Sequence, residues 1–238
     1  MRTVAIAGAS GFVGQSLVEY FSKQNYKTIQ IKREVLNNPL KLDELIGSCE
    51  IVINLSGANI INRWSEEYKK LLYTSRINTT KSLVESINRV QVKPKMLIST
   101  SAVGIYDNKA TYDENGNYSN DFLSNLCQEW EKEANKVNNS FTKVTIFRFG
   151  IVLGKNGGAI SKMMLPFKLG LGGIIGSGKQ YFSYVHIEDL VRAYHFAIEK
   201  ELEGVYNLTA PIPTTNYEFT KTFGKILNRP TIFPVPEF

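Results

Sequence analysis

Cysteine is scarce in this sequence, which has two among its 238 residues. Cys49 and Cys127 lie in segments with an apolar pattern, and their spacing fits neither a disulfide framework nor a metal site. The scarcity excludes the small secreted domains that disulfides hold together. It is typical of a reducing compartment, so we expect a cytoplasmic protein without a bound metal.

Long apolar runs are absent as well. No segment reaches the length that spans a bilayer, and the run that follows Arg2 is too short and too interrupted by glycine to be a signal peptide. We therefore expect no membrane association. Hydrophobic residues still make up 43% of the chain, and 238 residues suffice for one large α/β domain, with or without a small annex.

The sequence also lacks a dense basic cluster, although its net charge is +6. Lysine and arginine are scattered along the chain rather than concentrated in one segment. We therefore expect no nucleic-acid partner. The excess of positive charge fits a solvated surface together with a ligand that carries phosphate.

The first 33 residues predict one βαβ unit. Thr3–Gly8 is a short apolar run that ends in glycine, as buried strands do. Gly11–Gln24 then has apolar residues at helical spacing, and Lys27–Arg33 alternates like a second strand.

The turn inside this unit reads GASGFVG and predicts a dinucleotide site. Gly8 permits a tight turn out of the strand, Gly11 lets a pyrophosphate approach the backbone, and Gly14 lets the helix pack closely on the sheet. The N-terminus of the helix supplies N–H groups and the positive end of a dipole. A purely structural glycine turn is the alternative.

The end of the second predicted strand indicates which cofactor binds. Arg33 lies nineteen residues after Gly14 (33 − 14), where an acidic residue would bind the ribose 2′-hydroxyl of NAD. Lys32 and Arg33 stand there instead and suit a 2′-phosphate, so we predict NADP, with NADPH preferred over NADH. The alternative is a pair of solvated basic residues.

Glu50–Gly57 predicts another buried strand, whose carboxyl end should face the cofactor. The candidates for the adenosine side are Leu55, Ser56 and Gly57. A long helix follows, beginning near Ser65, and Arg76 lies in it. Residue chemistry alone leaves open whether Arg76 is a surface charge or reaches the cofactor.

Lys95–Asp107 predicts a fourth strand that runs into three hydroxyl residues, Ser99, Thr100 and Ser101. A hydroxyl at this position can hydrogen-bond a carbonyl substrate as negative charge develops on its oxygen. Alternatively, these side chains only terminate the strand.

Taken together, these motifs make the sequence similar to extended short-chain dehydrogenases/reductases. More closely, it resembles the atypical NAD(P)-dependent epimerase-family proteins among them, some of which carry an old cell-division-inhibitor label. The likeness runs almost end to end, through VINLSGANI, SRINTT, ISTSAVGIY, FRFGIVLGKNGGAI and YVHIEDL. It is most specific between Gly150 and Leu190.

The resemblance implies an α/β fold: a Rossmann-type, doubly wound parallel sheet with a small C-terminal substrate-side subdomain. Residues 1–150 would form the NADP-binding domain. Residues 151–238 would form a small region interleaved with the end of the sheet. Relatives usually continue past the position of Phe238, so we expect a truncated C-terminus.

Residue chemistry and resemblance together nominate the site. The cofactor-binding candidates are Gly8, Ser10, Gly11, Phe12, Val13, Gly14, Lys32, Arg33, Leu55, Ser56, Gly57, Arg76, Ser99 and Ile151. The catalytic candidates are Ser101, Tyr106 and His186. A histidine titrates near neutrality and could shuttle a proton, but we favour His186 as a structural residue at a loop-to-helix junction.

The family's Tyr-x-x-x-Lys pair corresponds here to Leu123 and Cys127, in LSNLCQEWE. That tyrosine would be the general acid, and the lysine would lower its pKa. We predict instead that this helix packs on the sheet and lines the nicotinamide pocket with apolar groups. A literal Tyr-x-x-x-Lys, Tyr217–Lys221, lies far along the chain and is interpreted as surface.

Two functions remain open from the sequence. One is an NADP-dependent oxidoreductase or epimerase-like enzyme that acts on an unknown small molecule with a carbonyl or hydroxyl group. The other is a catalytically weak protein that senses NADP(H) and signals through a protein partner. The oligomeric state is open, with a homodimer as one alternative.

Overall fold

The computed structural model describes residues 1–155 and 157–236. Its strands are β1 (Thr3–Ala7), β2 (Lys27–Ile31), β3 (Ile51–Asn54), β4 (Met96–Ala102), β5 (Lys143–Phe149), β6 (Ile151–Gly154), β7 (Tyr184–His186) and β8 (Gly204–Leu208). Its helices are α1 (Phe12–Lys23), α2 (Arg33–Leu36), α3 (Pro39–Gly47), α4 (Glu66–Arg89), α5 (Phe122–Ala134), α6 (Gly158–Lys168), α7 (Ile187–Lys200) and α8 (Asn216–Ile226).

Six strands form one parallel sheet in the order β2-β1-β3-β4-β5-β8. The chain first moves outward from β1 to β2 and then continues on the other side of β1 with β3. The strand order therefore reverses between β1 and β3, and such a reversal opens a crevice for a dinucleotide. The predicted Rossmann-type, doubly wound α/β fold is confirmed.

Both faces of the sheet are buried under helices. Val4 and Ile6 of β1 belong to a core cluster with residues of α1 and α7. Ala5 and Ala7 belong to a second cluster with residues of α3, α4 and α5. Because alternate residues of a strand point to opposite faces, a strand covered on both sides has a continuous apolar sequence.

Three strands end earlier than the sequence pattern predicts. β3 stops at Asn54, three residues before the predicted end at Gly57. β2 stops at Ile31, which pairs with Ala7 at the end of β1, so Lys32 has no strand beside it. The Lys32 carbonyl instead accepts hydrogen bonds from Val35 and Leu36 and begins α2. β4 stops at Ala102, and a 3₁₀ turn over Val103–Ile105 follows.

The chain after residue 150 contributes to two places. β6 and β7 pair in parallel as a small separate sheet, whereas β8 returns to the main sheet beside β5. The division at residue 150 stays a prediction.

None of the helices in the described ranges combines the length and apolar character that crossing a bilayer requires.

Candidate functional site

The turn between β1 and α1 and the first turn of α1 each have one position that only glycine fits. Gly8 has φ +83°, and a Cβ there would lie 2.8 Å from the carbonyl carbon of Leu55. A Cβ at Gly14 would lie 2.4 Å from the carbonyl oxygen of Gly8. The Gly11 N–H closes the turn with a 3.1 Å hydrogen bond to that same oxygen. These glycines bring the N-terminus of α1 to the carboxyl edge of the sheet.

The N-terminus of α1 offers unpaired donors to an anion. Gly11 caps the helix without a side-chain hydrogen bond, and the first turn of α1 contains no acidic residue. The first N–H groups of a helix have no partner within the helix and lie at the positive end of its dipole. A phosphate group fits this position.

A cavity of about 760 Å³ opens beside this turn. Six of the predicted cofactor residues line it: Gly8, Ser10, Lys32, Arg33, Ser56 and Gly57. One face of α4 lines the opposite wall with Leu71, Thr74, Ser75, Asn78, Thr79 and Ser82. Sequence reasoning missed this wall, although Thr74, Asn78 and Ser82 form a polar row at helical spacing.

Lys32 and Arg33 put positive charge at the edge of this first cavity. Both are exposed, and within the described ranges neither forms an ion pair with a carboxylate. Arg89, by contrast, pairs with Asp43 at 2.6 Å. The unneutralised charge of Lys32 and Arg33 favours a phosphate ligand.

Arg76 is neither a surface charge nor a lining residue of the first cavity. Its Nη2 donates to the carbonyl oxygen of Ala58 at 3.0 Å, and its guanidinium lies over the ring of Trp130 at 5.3 Å. A Cβ at Gly57 would lie 2.8 Å from Arg76 Cζ. Arg76 therefore holds the loop after β3 in place through contacts outside the first cavity.

The remaining predicted cofactor residues also lie outside the first cavity. Phe12 packs against the end of β6, where a Cβ at Gly154 would lie 2.5 Å from its Cζ. Val13 and Leu55 pack against the core cluster beneath α1. Ser99 is buried within β4, and Ile151 lines a second cavity.

The hydroxyl residues of β4 point in alternate directions. The Thr100 hydroxyl pairs with that of Tyr194 at 3.1 Å. The Oγ atom of Ser99 is buried without a hydrogen-bond partner in the described part of the chain, and that of Ser101 lies beside the Cys127 thiol. Both serines are 1% exposed and line neither cavity, so the structure does not place their hydroxyls in contact with a ligand site.

The second cavity has a volume of about 520 Å³. Three loops form it, after β4, before β7 and after β8. The lining residues are Val103, Gly104, Tyr106, Asp107, Asn108, Ala110, Thr111, Tyr112, Ile151, Gln180, Tyr181, Ser183, Tyr184, Asn207, Thr209, Ala210, Pro211, Ile212 and Pro213. Of the three catalytic candidates, Tyr106 alone lines this cavity.

Tyr106 is held by two polar neighbours. Arg148 Nη1 donates to its hydroxyl oxygen at 2.7 Å, and that hydroxyl donates to Asn207 Oδ1 at 2.8 Å. Burial raises the pKa of the Tyr106 phenol, and the hydrogen bond from Arg148 opposes this effect without reversing it. Tyr106 is therefore protonated at neutral pH and fixed in orientation.

Sequence reasoning missed Arg148, which organises the back of the second cavity. Its side chain is 2% exposed and forms two hydrogen bonds with the carboxylate of Glu131, at 2.8 and 2.7 Å. Its remaining bonds go to Tyr106, to the Tyr118 hydroxyl and to the Glu114 carbonyl. The signal was an arginine within the apolar strand KVTIFRF, since a buried charge must be paired.

His186 lies outside both cavities and caps a helix. The helix α7 begins at Ile187, directly after His186. The Nδ1 atom of His186 accepts a hydrogen bond from the Glu188 N–H at 3.4 Å, and the side chain is exposed. This placement matches the structural role at a loop-to-helix junction.

Neither tyrosine–lysine position provides a proton donor beside Ser101. On α5, burial raises the pKa of the Cys127 thiol to about 11, so this thiol is protonated and unreactive at neutral pH. Tyr217 lies half-exposed on α8, and Lys221 donates to Thr231. Tyr217 and Lys221 line neither cavity.

Comparison with protein families gives one match, over residues 4–209, to the NAD dependent epimerase/dehydratase family. The epimerase family protein SDR39U1 of Mus musculus is 39% identical over an alignment that covers 98% of this chain and 83% of that protein. The epimerase family protein YfhF of Bacillus subtilis is 33% identical, with 99% of this chain and 83% of that protein covered.

Solved structures have the same fold. The human epimerase family protein SDR39U1 (isoform 2), crystallised with NADPH, superposes with a TM-score of 0.91 at 35% identity and covers 98% of this chain and 83% of that chain. A nucleoside-diphosphate sugar epimerase from Corynebacterium glutamicum superposes with a TM-score of 0.78 at 26% identity, covering 99% of this chain and 53% of that one.

Proposed function

Because the chain belongs to the NAD dependent epimerase/dehydratase family, we propose that it binds NADP(H) and acts as an oxidoreductase or epimerase-like enzyme on a small carbonyl or hydroxyl compound. The first cavity carries this proposal. It has a glycine turn at one end and the unneutralised charges of Lys32 and Arg33 at the other. The human relative that was crystallised with NADPH supports the same choice of cofactor.

The residues of the first cavity fit the parts of this cofactor. Lys32 and Arg33 would hold a 2′-phosphate, and the N-terminus of α1 would hold the pyrophosphate. Ser56, Gly57 and the polar row of α4 would surround the adenosine. A nicotinamide cofactor, when bound, supplies hydride transfer.

The second cavity would hold the substrate. Tyr106 offers a fixed, protonated phenol to an oxygen of the substrate, whereas Ser101 is buried within β4 and does not line this cavity. A hydrogen-bond donor beside the reacting oxygen stabilises the negative charge that develops on it. For Tyr106 to give its hydrogen bond to substrate, it must release the one that it makes to Asn207.

A sensor of NADP(H) is the second candidate function. It is favoured by the residues that stand on α5 in place of the tyrosine and lysine. Leu123 cannot transfer a proton, and the Cys127 thiol is protonated and 5% exposed. A protein with a cofactor site and weak proton-transfer groups could bind NADP(H) and signal through a protein partner. Turnover of any carbonyl compound with NADPH would rule out a pure sensor. Capture of a partner that depends on NADPH, without turnover, would count against the enzyme.

The cytoplasm is the proposed location. Cys49 and Cys127 are both buried free thiols, as expected in a reducing compartment. Fractionation of the source cells, followed by immunoblotting, would test this. Recovery of the protein in a secreted or oxidising fraction would contradict it.

A fluorescence titration with NADPH and, separately, with NADH tests the cofactor assignment. We expect NADPH to bind at least about tenfold more tightly, because the 2′-phosphate gains charge-assisted hydrogen bonds from Lys32 and Arg33. Equal affinities for NADPH and NADH would contradict the prediction that Lys32 and Arg33 bind a 2′-phosphate. No binding of either cofactor would remove the proposed function.

A further inference from the structure

The second cavity is rich in aromatic rings. Four tyrosines line it, Tyr106, Tyr112, Tyr181 and Tyr184, together with the apolar segment Pro211–Pro213. Aromatic and proline surfaces present flat apolar faces, against which a ring of the ligand can pack. The volume of about 520 Å³ suits a small molecule.

The lining of this cavity carries negative charge. Asp107 is the one charged side chain that lines it within the described ranges. The Asp107 carboxylate accepts hydrogen bonds from the Tyr112 hydroxyl at 2.6 Å and from the Lys109 N–H at 3.0 Å. These bonds, first of all the one from Tyr112, lower the pKa of Asp107, so it is ionised at neutral pH.

The nearest buried cation cannot serve a ligand. Arg148 lies behind Tyr106, but its donors are engaged by Glu131, by the two tyrosine hydroxyls and by a backbone carbonyl. Its charge is neutralised by Glu131, and its side chain is 2% exposed. A phosphate or carboxylate that entered the cavity would find no partner in Arg148.

Two lysines at the rim are the competing source of positive charge. Lys109 lies between the lining residues Asn108 and Ala110, and Lys179 precedes Gln180. Both lysine side chains are exposed, and neither lines the cavity. An anionic ligand would have to draw them inward.

The polar groups of the wall suit an uncharged ligand. The acceptor Oε1 of Gln180 is buried without a donor in the described part of the chain, while its Nε2 donates to the Ile175 carbonyl. Asn207 accepts from Tyr106 through Oδ1, and this bond leaves its Nδ2 donor available. A hydroxyl of the ligand would satisfy an acceptor such as Gln180, whereas a phosphate or carboxylate oxygen has no proton to donate at neutral pH.

From this lining we infer that the second cavity selects an uncharged, ring-bearing carbonyl or hydroxyl compound and rejects phosphate- and carboxylate-bearing ones, nucleoside diphosphate sugars included. The inference rests on the proposed function, since it names the substrate class of that site. A carboxylate or phosphate of the ligand would meet the like charge of Asp107, which is how Asp107 would discriminate.

A matched pair of ligands tests the inference. The protein is saturated with NADPH, and the affinities of para-hydroxymethylbenzaldehyde and para-carboxybenzaldehyde are measured by ligand-observed NMR, with UDP-glucose as competitor. We expect the uncharged aldehyde to bind about tenfold or more tightly than the carboxylate, and UDP-glucose not to compete. In Asp107→Asn the ratio of the two aldehyde affinities should fall severalfold, because the carboxylate ligand binds more tightly once the negative charge of Asp107 is gone.

The control is the double variant Lys109→Ala/Lys179→Ala, in which the order of affinities should not change. The inference would be overturned if the carboxylate or UDP-glucose bound more tightly than the uncharged aldehyde. If that binding were lost in the lysine variant, the anion would be bound by Lys109 and Lys179 at the rim. If NADPH binds and neither aldehyde does, the assignment of this cavity is wrong although the cofactor site stands. If NADPH itself does not bind, the proposed function fails first.

Discussion

Arg148 and Glu131 form a buried, two-pronged ion pair that joins the central sheet to α5. Nε of Arg148 lies 2.8 Å from Oε1 of Glu131, and Nη2 lies 2.7 Å from Oε2. The same guanidinium holds the Tyr106 hydroxyl at the wall of the second cavity. One buried charge pair thus serves both the packing of α5 and the orientation of the candidate donor.

Removal of one charge from this pair should destabilise the protein strongly. Glu131→Gln leaves the Arg148 charge buried without a counter-charge, and we expect the free energy of unfolding to fall by about 3–5 kcal/mol. Urea unfolding measures this change. Lys143→Ala, which breaks the exposed pair with Glu201, is the matched control and should cost at most about 1 kcal/mol. A similar loss of unfolding free energy in the two variants would show that the buried pair stabilises the protein no more than the exposed pair does.

Replacing the two basic residues after β2 should change cofactor preference. Lys32→Ala/Arg33→Ala removes the charge that would meet a 2′-phosphate, and we expect NADPH affinity to fall about tenfold to a hundredfold while NADH affinity stays nearly constant. Fluorescence titration provides both dissociation constants. Lys41→Ala, an exposed basic residue outside the first cavity, should alter neither. A parallel loss for both cofactors would point to a general effect on folding.

A side chain at Gly14 should disrupt the close packing of α1 on β1. In Gly14→Ala the new Cβ would lie 2.4 Å from the Gly8 carbonyl oxygen, so the helix must shift. We expect a loss of about 1–3 kcal/mol in unfolding free energy and weaker NADPH binding. Gly104→Ala is the control, because a Cβ there meets nothing within 4 Å. Unchanged stability and cofactor affinity in Gly14→Ala would contradict the geometry of the turn.

Cys127 should make the protein less stable at alkaline pH. Burial raises its pKa from 9.0 to about 11, so the folded protein holds this proton over a range in which the unfolded chain releases it. Stability from this group is therefore complete below pH 9 and is lost as the pH rises through 9 to 11. Between pH 8 and 10 the loss should be about 1 kcal/mol greater in the wild type than in Cys127→Ala. Urea unfolding at a series of pH values measures the two slopes, and equal slopes would place Cys127 in a less buried setting.

The cofactor half of the site was largely predictable because its determinants are close together in the sequence. Gly8 follows the strand that it ends, α1 follows Gly11, and Lys32 follows the next strand. A glycine turn, a helical period and a strand period are each encoded within a few residues, so the pattern alone indicates the arrangement. The exact end of β2 was not predictable, since it depends on where the neighbouring β1 stops.

The substrate half was not predictable, because it is assembled from distant segments. Tyr106 meets Asn207, 101 residues away, and Arg148, 42 residues away. Nothing local to any of these residues indicates that they share a cavity. The roles of Arg76 and His186 were likewise decided by the loop and the helix end that each of them contacts.

The sequence by itself determined the doubly wound fold, the glycine turn and the basic pair after β2, because periodicity and local backbone geometry act over short distances. Only the tertiary structure decided which polar groups face the second cavity, which charges are already neutralised and which hydroxyls lack partners. Those properties depend on the packing of β4, β5, α5 and the loop after β8 against one another, and packing joins residues without regard to their separation along the chain.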